Sequence, residues 1–283
     1  MSERIIDTHL HIWDLQRAEY PWLSGDTSIL NRSYAIDEVG KEREEAGVTE
    51  AILVQASGNA EDTALMFEAA AANDWITGVV AWLPLQQPEK TAAQLDLYRR
   101  NPLFKGVRHQ IHDEQDPQWL LQPAVIESLQ LLAKENIPYD LVGIRAEHIS
   151  TALELSGRVP GLRMIFDHLN QPPIAKGEKF GEWGQLMRQA AALPQFHAKI
   201  SGLGTTAGRG KNWSAEDIRP YIAFILEHFG TGRCMLGGDW PVALLAGSYA
   251  HTWSVYRRLI NELLPAQEAT KIFSDNAAAF YGL

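Results

Sequence analysis

The sequence predicts an α/β chain folded as a single (β/α)8 TIM barrel spanning residues 1–283. Three observations carry that reading. Eight short, β-prone apolar runs recur along the 283 residues, and most gaps between them hold an amphipathic helical stretch. Strands that alternate with helices pair in parallel, and eight such units close into a barrel of about 250 residues. No glycine-rich phosphate turn follows an early strand, as an open doubly wound sheet would require. The nearest match, Gly202-Leu-Gly-Thr-Thr-Ala-Gly208, is expected to lead into a polar loop without a helix for several residues.

In order, the predicted strands are Arg4–His9, Ala51–Gln55, Thr77–Trp82, Gly106–Gln110, Tyr139–Val142, Arg163–Asp167, His197–Ser201 and Cys234–Gly238. Helices are predicted over Ile36–Ala46, stopped by Gly47, and over the alanine-rich Glu61–Asn73. Pro123–Glu135 carries apolar residues at 125, 126, 129, 132 and 133, the stripe of a helix packed on one face. Ala146–Ser156 fills the next gap. Ser214 with Asp217 three residues on is an N-terminal capping signal for Ala215–Phe229, and Gly230 ends it.

With 46% hydrophobic residues the chain can bury a large core. A net charge of −10 argues against nucleic acid and against an anionic membrane surface. A local arginine could still receive an anionic substrate. Cys234 is the sole cysteine, which leaves no intramolecular disulfide and no thiolate zinc site. The sequence enters a strand without an apolar leader, and no run approaches the roughly 18 apolar residues of a membrane span. The expectation is a cytoplasmic protein acting on a small molecule, compatible with a homo-oligomer.

Polar residues gather at the predicted strand ends, where the loops of such barrels build active sites. The first strand runs Ile5-Ile6-Asp7-Thr8-His9-Leu10-His11, and alternation puts Asp7, His9 and His11 on one face. Two imidazoles so placed can chelate a divalent metal or aim at a substrate oxygen. A hydrogen-bonded pair at a strand edge is the plainer alternative. The fourth strand offers Arg108 and His109, of which a regular strand turns only one inward, and His112 lies just beyond. Asp167 and His168 pose the same choice on the sixth strand. Lys199 shares parity with His197 and Ser201 on the seventh, and Asp239 follows the eighth. Trp13, Tyr20, Pro21 and Trp22 either cap a pocket or pack a loop. His148, His228 and His251 fall in helical patterns and read as surface or packing residues.

The segments IIDTHLHIWD, YPWL, FKGVRH, FDHLNQPP, KISGL, GGDWPV and the closing NAAAFYGL resemble the amidohydrolase superfamily. The nearer resemblance is to its lactonase branch, which takes L-fucono-, L-rhamnono- and 2-pyrone-4,6-dicarboxylate lactones. The resemblance implies a catalytic centre of His9, His11, His168 and Asp239, the same four being the ligands of any bound metal. It departs from the two-metal pattern: the fourth strand has no bridging lysine or glutamate, and Tyr139-Asp-Leu-Val142 has no histidine. One divalent ion, zinc by preference, or a metal-independent centre is therefore implied.

The implied reaction is hydrolysis of a sugar-acid lactone, with Asp239 as general base for water and the histidines polarising the carbonyl. Arg108, Lys199, Trp22, Trp82 and His109 are the candidate substrate contacts. No G-x-S-x-G turn supplies a serine nucleophile. Two rivals use the same scaffold: non-oxidative decarboxylation of an aromatic or unsaturated acid, and an inactive sugar-acid binding protein.

Overall fold

A computed structural model describes residues 3–283. Strands β1 (Ile6–Leu10), β2 (Glu50–Val54), β3 (Ile76–Ala81), β4 (Phe104–His109), β5 (Tyr139–Leu141), β6 (Met164–Phe166), β7 (Phe196–Ile200) and β8 (Cys234–Leu236) lie parallel and in sequence order. The ring closes beyond β8, where Asp239 N donates to His9 O at 2.7 Å and His11 N to Trp240 O at 2.8 Å. This is the predicted (β/α)8 barrel.

Around it run α1 (Gly40–Ala46), α2 (Ala60–Ala71), α3 (Pro88–Tyr98), α4 (Pro123–Lys134), α5 (Ala146–Arg158), α6 (Gly181–Ala191), α7 (Leu203–Thr206), α8 (Ala215–Phe229), α9 (Tyr249–Leu263), α10 (Ala266–Thr270) and α11 (Asn276–Tyr281). In α4 a proline occupies the first turn, where its missing N–H costs nothing, and Val125, Leu129 and Leu132 face the core. At the start of α8, Asp217 reaches back 2.8 Å to the Ser214 N–H, the predicted cap.

Beyond Gly208 the chain runs on as the expected loop, with no α-helix before α8, while within the glycine-rich segment Leu203–Thr206 forms α7, where the Thr205 and Thr206 hydroxyls donate to Gly202 O at 2.7 and 2.9 Å. One expectation is corrected. Asp7 does not share a face with His9. The β1–β2 register shifts between Asp7 and Leu10, and such an irregularity changes which residues face inward. Asp7 packs outward instead, accepting from Tyr249 Oη at 2.6 Å and Trp253 Nε1 at 3.3 Å on α9, and from Gly238 N at 2.9 Å.

Inside the barrel, Ile6, Ile52, Val54, Val80, Ile165 and Met235 form one apolar layer, closed from the amino end of the strands by Ala277, Phe280 and Tyr281 of α11. Above that layer, toward the carboxyl ends, the interior becomes polar.

Candidate active site

The His9 and His11 rings meet edge to face, with Nε2 atoms 3.1 Å apart. Each ring is held from behind. Nδ1 of His11 lies 2.7 Å from the Val54 carbonyl, so it carries the proton and leaves Nε2 with a lone pair. Nδ1 of His9 is 3.4 Å from Asp167 Oδ1 and equally 3.4 Å from Lys199 Nζ. On the far side of the ring the Arg108 guanidinium places Nη1, like the Lys199 ammonium a donor only, 3.3 Å from His9 Nε2. The ring is thus held between two cations, with the Asp167 carboxylate beside it.

The His9 and His11 Nε2 atoms face each other across 3.1 Å. That spacing suits a shared cation, since two imidazoles bound at about 2.1 Å and roughly 90 to 109° stand about 3.0 to 3.4 Å apart. His168 and Asp239 complete the set. Asp239 Oδ1 lies 3.6 Å from His11 Nε2, 3.8 Å from His168 Nε2 and 3.9 Å from His9 Nε2. Ligand atoms of His9, His168 and Asp239 fall within 4.8 Å of one another. His168 Nδ1 engages Ser201 Oγ at 2.9 Å, so its second nitrogen also has a partner that orients the ring. The residues fit one divalent ion.

His168 and Asp167 enter the site together because β6 has already ended. From His168 to Gln171 the backbone holds left-handed torsions, φ 53, 52, 51 and 48°, which no regular strand allows. Such torsions are costly for non-glycine residues and collect at functional sites. Asp239 has φ 57°. Gly202 is required beside them: a Cβ there would stand 2.6 Å from His168 Nδ1, and its own φ is +61°.

Burial lowers the proton affinity of every imidazole in the set, that of His11 to about 3, so all are neutral and ready to ligate at pH 7. Burial raises Asp239 above the usual carboxylate range, against the pull of His168 and Arg108, which makes it a better base. Asp167 goes the other way. Burial would lift it, but Lys199, His9 and Arg108 together hold it well below that range, as a permanent anion.

His11, His168 and Asp239 form one wall of a cavity of about 300 Å³, with His9 fully buried behind them. Trp13 and Trp22, ring centroids 5.1 Å apart, line one side, their indole N–H groups bonded to Arg32 O and Ala56 O. Val142, Ile144 and Val242 extend the apolar wall, while Gln110, His112, Gln171, Thr205 and Thr206 supply amides, an imidazole and hydroxyls.

Arg108 therefore faces inward and His109 outward. His109 stacks on Trp119 at 4.0 Å, meets Glu114 at 2.7 Å through Nε2 and accepts from Trp82 Nε1 at 3.2 Å. Neither His109 nor Trp82 lines the cavity, which corrects both as substrate contacts. Lys199 is corrected too: it has the predicted inward parity but lies below the cavity, fully buried between Asp140 at 2.5 Å and Asp167 at 3.1 Å. Trp22 and Arg108 do line it. Arg108 spends most of its fork on the protein, Nε on Gln55 Oε1 at 3.1 Å, Nη1 on Asp167 at 3.2 Å and Nη2 on Gln55 O. Gln110 escaped the sequence reading although its parity with Arg108 signals it. Gln171, Thr205 and Thr206 left no such signal, because Gln171 lies on the turn after β6 and the two threonines on α7, beyond their strands.

A single-barrel hydrolase scaffold with a three-histidine, one-aspartate centre defines the class. The sequence model of the amidohydrolase family matches residues 6–283, and the chain belongs to that family. It is 28% identical over 279 residues to the L-fucono-1,5-lactonase of Burkholderia ambifaria, covering 98% of this chain and 94% of that protein. The L-fucono-1,5-lactonase of Burkholderia multivorans is 30% identical over 286 residues, with 98% and 96% covered. A crystal structure of a Burkholderia multivorans amidohydrolase with bound zinc superposes with a TM-score of 0.91 at 30% identity, covering 99% of each chain.

Proposed function

We propose that this protein hydrolyses the lactone ring of a sugar acid of the L-fucono- or L-rhamnono-lactone type. The observation that carries the reading is the convergence of His11, His168 and the carboxylate of Asp239 on the wall of a cavity lined by tryptophans and hydroxyl-matching side chains, with His9 directly behind them. The curated relatives supply the substrate class.

The C–H face of the lactone packs on Trp13 and Trp22, and its hydroxyls pair with Gln110, Gln171, Thr205 and Thr206. Asp239 takes a proton from the attacking water. As the tetrahedral adduct collapses, the same carboxyl returns that proton to the departing ring oxygen. His9, His11 and His168, through Nε2, and Asp239 would hold one divalent ion, zinc by its donor set. That ion, when bound, supplies Lewis-acid polarisation of the carbonyl. Arg108 keeps His9 Nε2 and Asp167 in place and adds fixed positive charge beside the developing oxyanion.

The test is a screen of L- and D-aldonolactones by acid release, with and without chelator, alongside elemental analysis. Turnover of a polyhydroxylated lactone, loss on chelation, restoration by zinc and no more than one zinc per chain are expected. Carbon dioxide release from a hydroxybenzoate without lactone turnover would instead make the protein a decarboxylase, and tight binding of a lactone without hydrolysis would make it a binding protein.

A further inference from the structure

Trp22 walls the cavity from a long excursion, residues 11–35 between β1 and the helical turn Ile36–Val39, and the regular structure that carries it is the short turn Pro21–Leu23. A side chain on such a segment is placed by tertiary contacts rather than by a strand or helix. Its indole N–H donates to the Ala56 carbonyl at 2.9 Å, and Ala56 also lines the cavity. The Ala56 N–H in turn donates to Asp62 Oδ2 at 3.0 Å, and the Tyr20 hydroxyl donates to Asp62 Oδ1 at 3.0 Å. Tyr20 caps the turn that carries Trp22: the Leu23 N–H donates to its carbonyl at 3.0 Å, and Pro21 between them has a fixed φ. One carboxylate therefore grips both residues of the wall, Ala56 directly and Trp22 through Tyr20.

Asp62 lies in the first turn of α2, fully buried, and forms no ion pair among the described residues. Burial pushes its carboxyl up to about 6, against the hydrogen bonds from Ala56, Tyr20 and Ser57. A buried carboxylate without a cation is unfavourable, and these bonds, with the positive end of the helix, offset the loss of water. An apolar residue would fill the space without that penalty but could accept nothing from Ala56 or Tyr20. Neighbouring bonds tighten the tie: Asn59 Nδ2 and Ser57 Oγ both donate to Glu19 O, at 2.8 and 2.6 Å. Neither Asp62 nor Tyr20 lines the cavity.

We propose that Asp62 and Tyr20 are positioning residues for substrate binding: on the lactonase reading of this cavity, they set where the Trp22 indole and Ala56 meet the lactone, and neither touches it. His11 and His168 are held by other partners, Val54 O and Ser201. Loosening the clasp therefore moves the binding wall and leaves the reacting groups in place.

Tyr20→Phe keeps the ring packing and removes only the hydroxyl. Asp62→Asn keeps both bonds, since its amide oxygen accepts from the Ala56 N–H while its NH2 group donates to the Tyr20 oxygen. Met66→Ala is the control, a buried residue of the same helix outside the clasp, whose truncation lowers Tm alone. The first readout is the indole N–H spectrum of 15N-tryptophan-labelled protein, with the Trp22 signal assigned from Trp22→Phe. Tyr20→Phe is expected to shift that signal and speed its exchange with solvent, while Asp62→Asn and Met66→Ala leave it as in the wild type. The second readout is lactone kinetics. Tyr20→Phe should raise KM about 3- to 10-fold, the range one hydrogen bond spans, with kcat within about twofold of wild type. Asp62→Asn should keep the wild-type KM. If Tyr20→Phe behaves like Met66→Ala, with a lower Tm but an unchanged Trp22 signal and KM, the clasp is overturned and is only packing. A fall in kcat at unchanged KM overturns it as well. If the wild type opens no lactone at all, the lactonase reading fails while the Trp22 signal still decides the clasp.

Discussion

The two ends of this barrel are made from the same strands and do opposite things. Toward α11, Ile6, Ile52, Val54, Val80, Ile165 and Met235 pack into an apolar cluster. At the carboxyl end the interior holds His9, His11, Arg108 and Asp239, with Asp167 and His168 from the turn after β6. The backbone differs as sharply. Left-handed torsions at non-glycine residues run from His168 to Gln171 and recur at Phe180 and Asp239 on the carboxyl side, against Asn136 on the amino side. Strain and buried charge concentrate at the proposed active site, and the apolar end supplies the stability that tolerates them. Lys199 lies between the two regimes.

The largest expected effect tests that junction. Lys199→Met leaves Asp140 and Asp167 buried without their shared cation, and should destabilise the fold by about 3 to 5 kcal/mol in urea titration. A loss under 1 kcal/mol would mean that the two ends are energetically independent. Next is Asp239→Asn, expected to leave the thermal midpoint near wild type and to lower kcat by about 100-fold or more. Near-normal turnover would remove Asp239 from the reaction. Arg108→Met should lower kcat/KM by about 10- to 100-fold, or roughly 1.4 to 2.8 kcal/mol. Because its fork serves Gln55, Asp167 and His9, the loss should be equal for a polyhydroxylated lactone and a plain δ-lactone. A loss confined to the polyhydroxylated substrate would show Arg108 reading hydroxyls.

The smallest effect belongs to the amino end and to pH. Burial, and then the nearby charges of Arg233 and Arg163, push His197 down to about 4. A histidine whose folded pKa is depressed favours the neutral form in the fold. Its contribution is present above the unfolded value near 6.5 and is lost as pH falls toward 4. Wild type should therefore lose more stability than His197→Gln between pH 7 and pH 4.5, read from urea midpoints. Equal losses in the two proteins would place the acid sensitivity elsewhere.

Taken alone, the sequence determined the eight strands, their parallel order and the ring of residues at their ends, because apolar runs, caps and turns are local patterns. His9, His11, His168 and Asp239 followed from position at a strand end, with the family resemblance supplying their roles. Tertiary structure decided the rest. Alternation assigns a side of a strand but not a depth along the barrel, so Lys199 read as a substrate contact when it lies a layer below. It also assumes an unbroken register, and the shift in β1 turned Asp7 outward to α9. It assumes that the strand continues, and the left-handed turn after Phe166 admitted both Asp167 and His168. The choice of Arg108 over His109 rested on partners distant in sequence, Gln55 and Asp167 inside, Glu114 and Trp119 outside. Tyr281 reaches Asp140 across 141 positions. No local pattern encodes such a contact, because it exists only once the ring has closed and α11 has entered it.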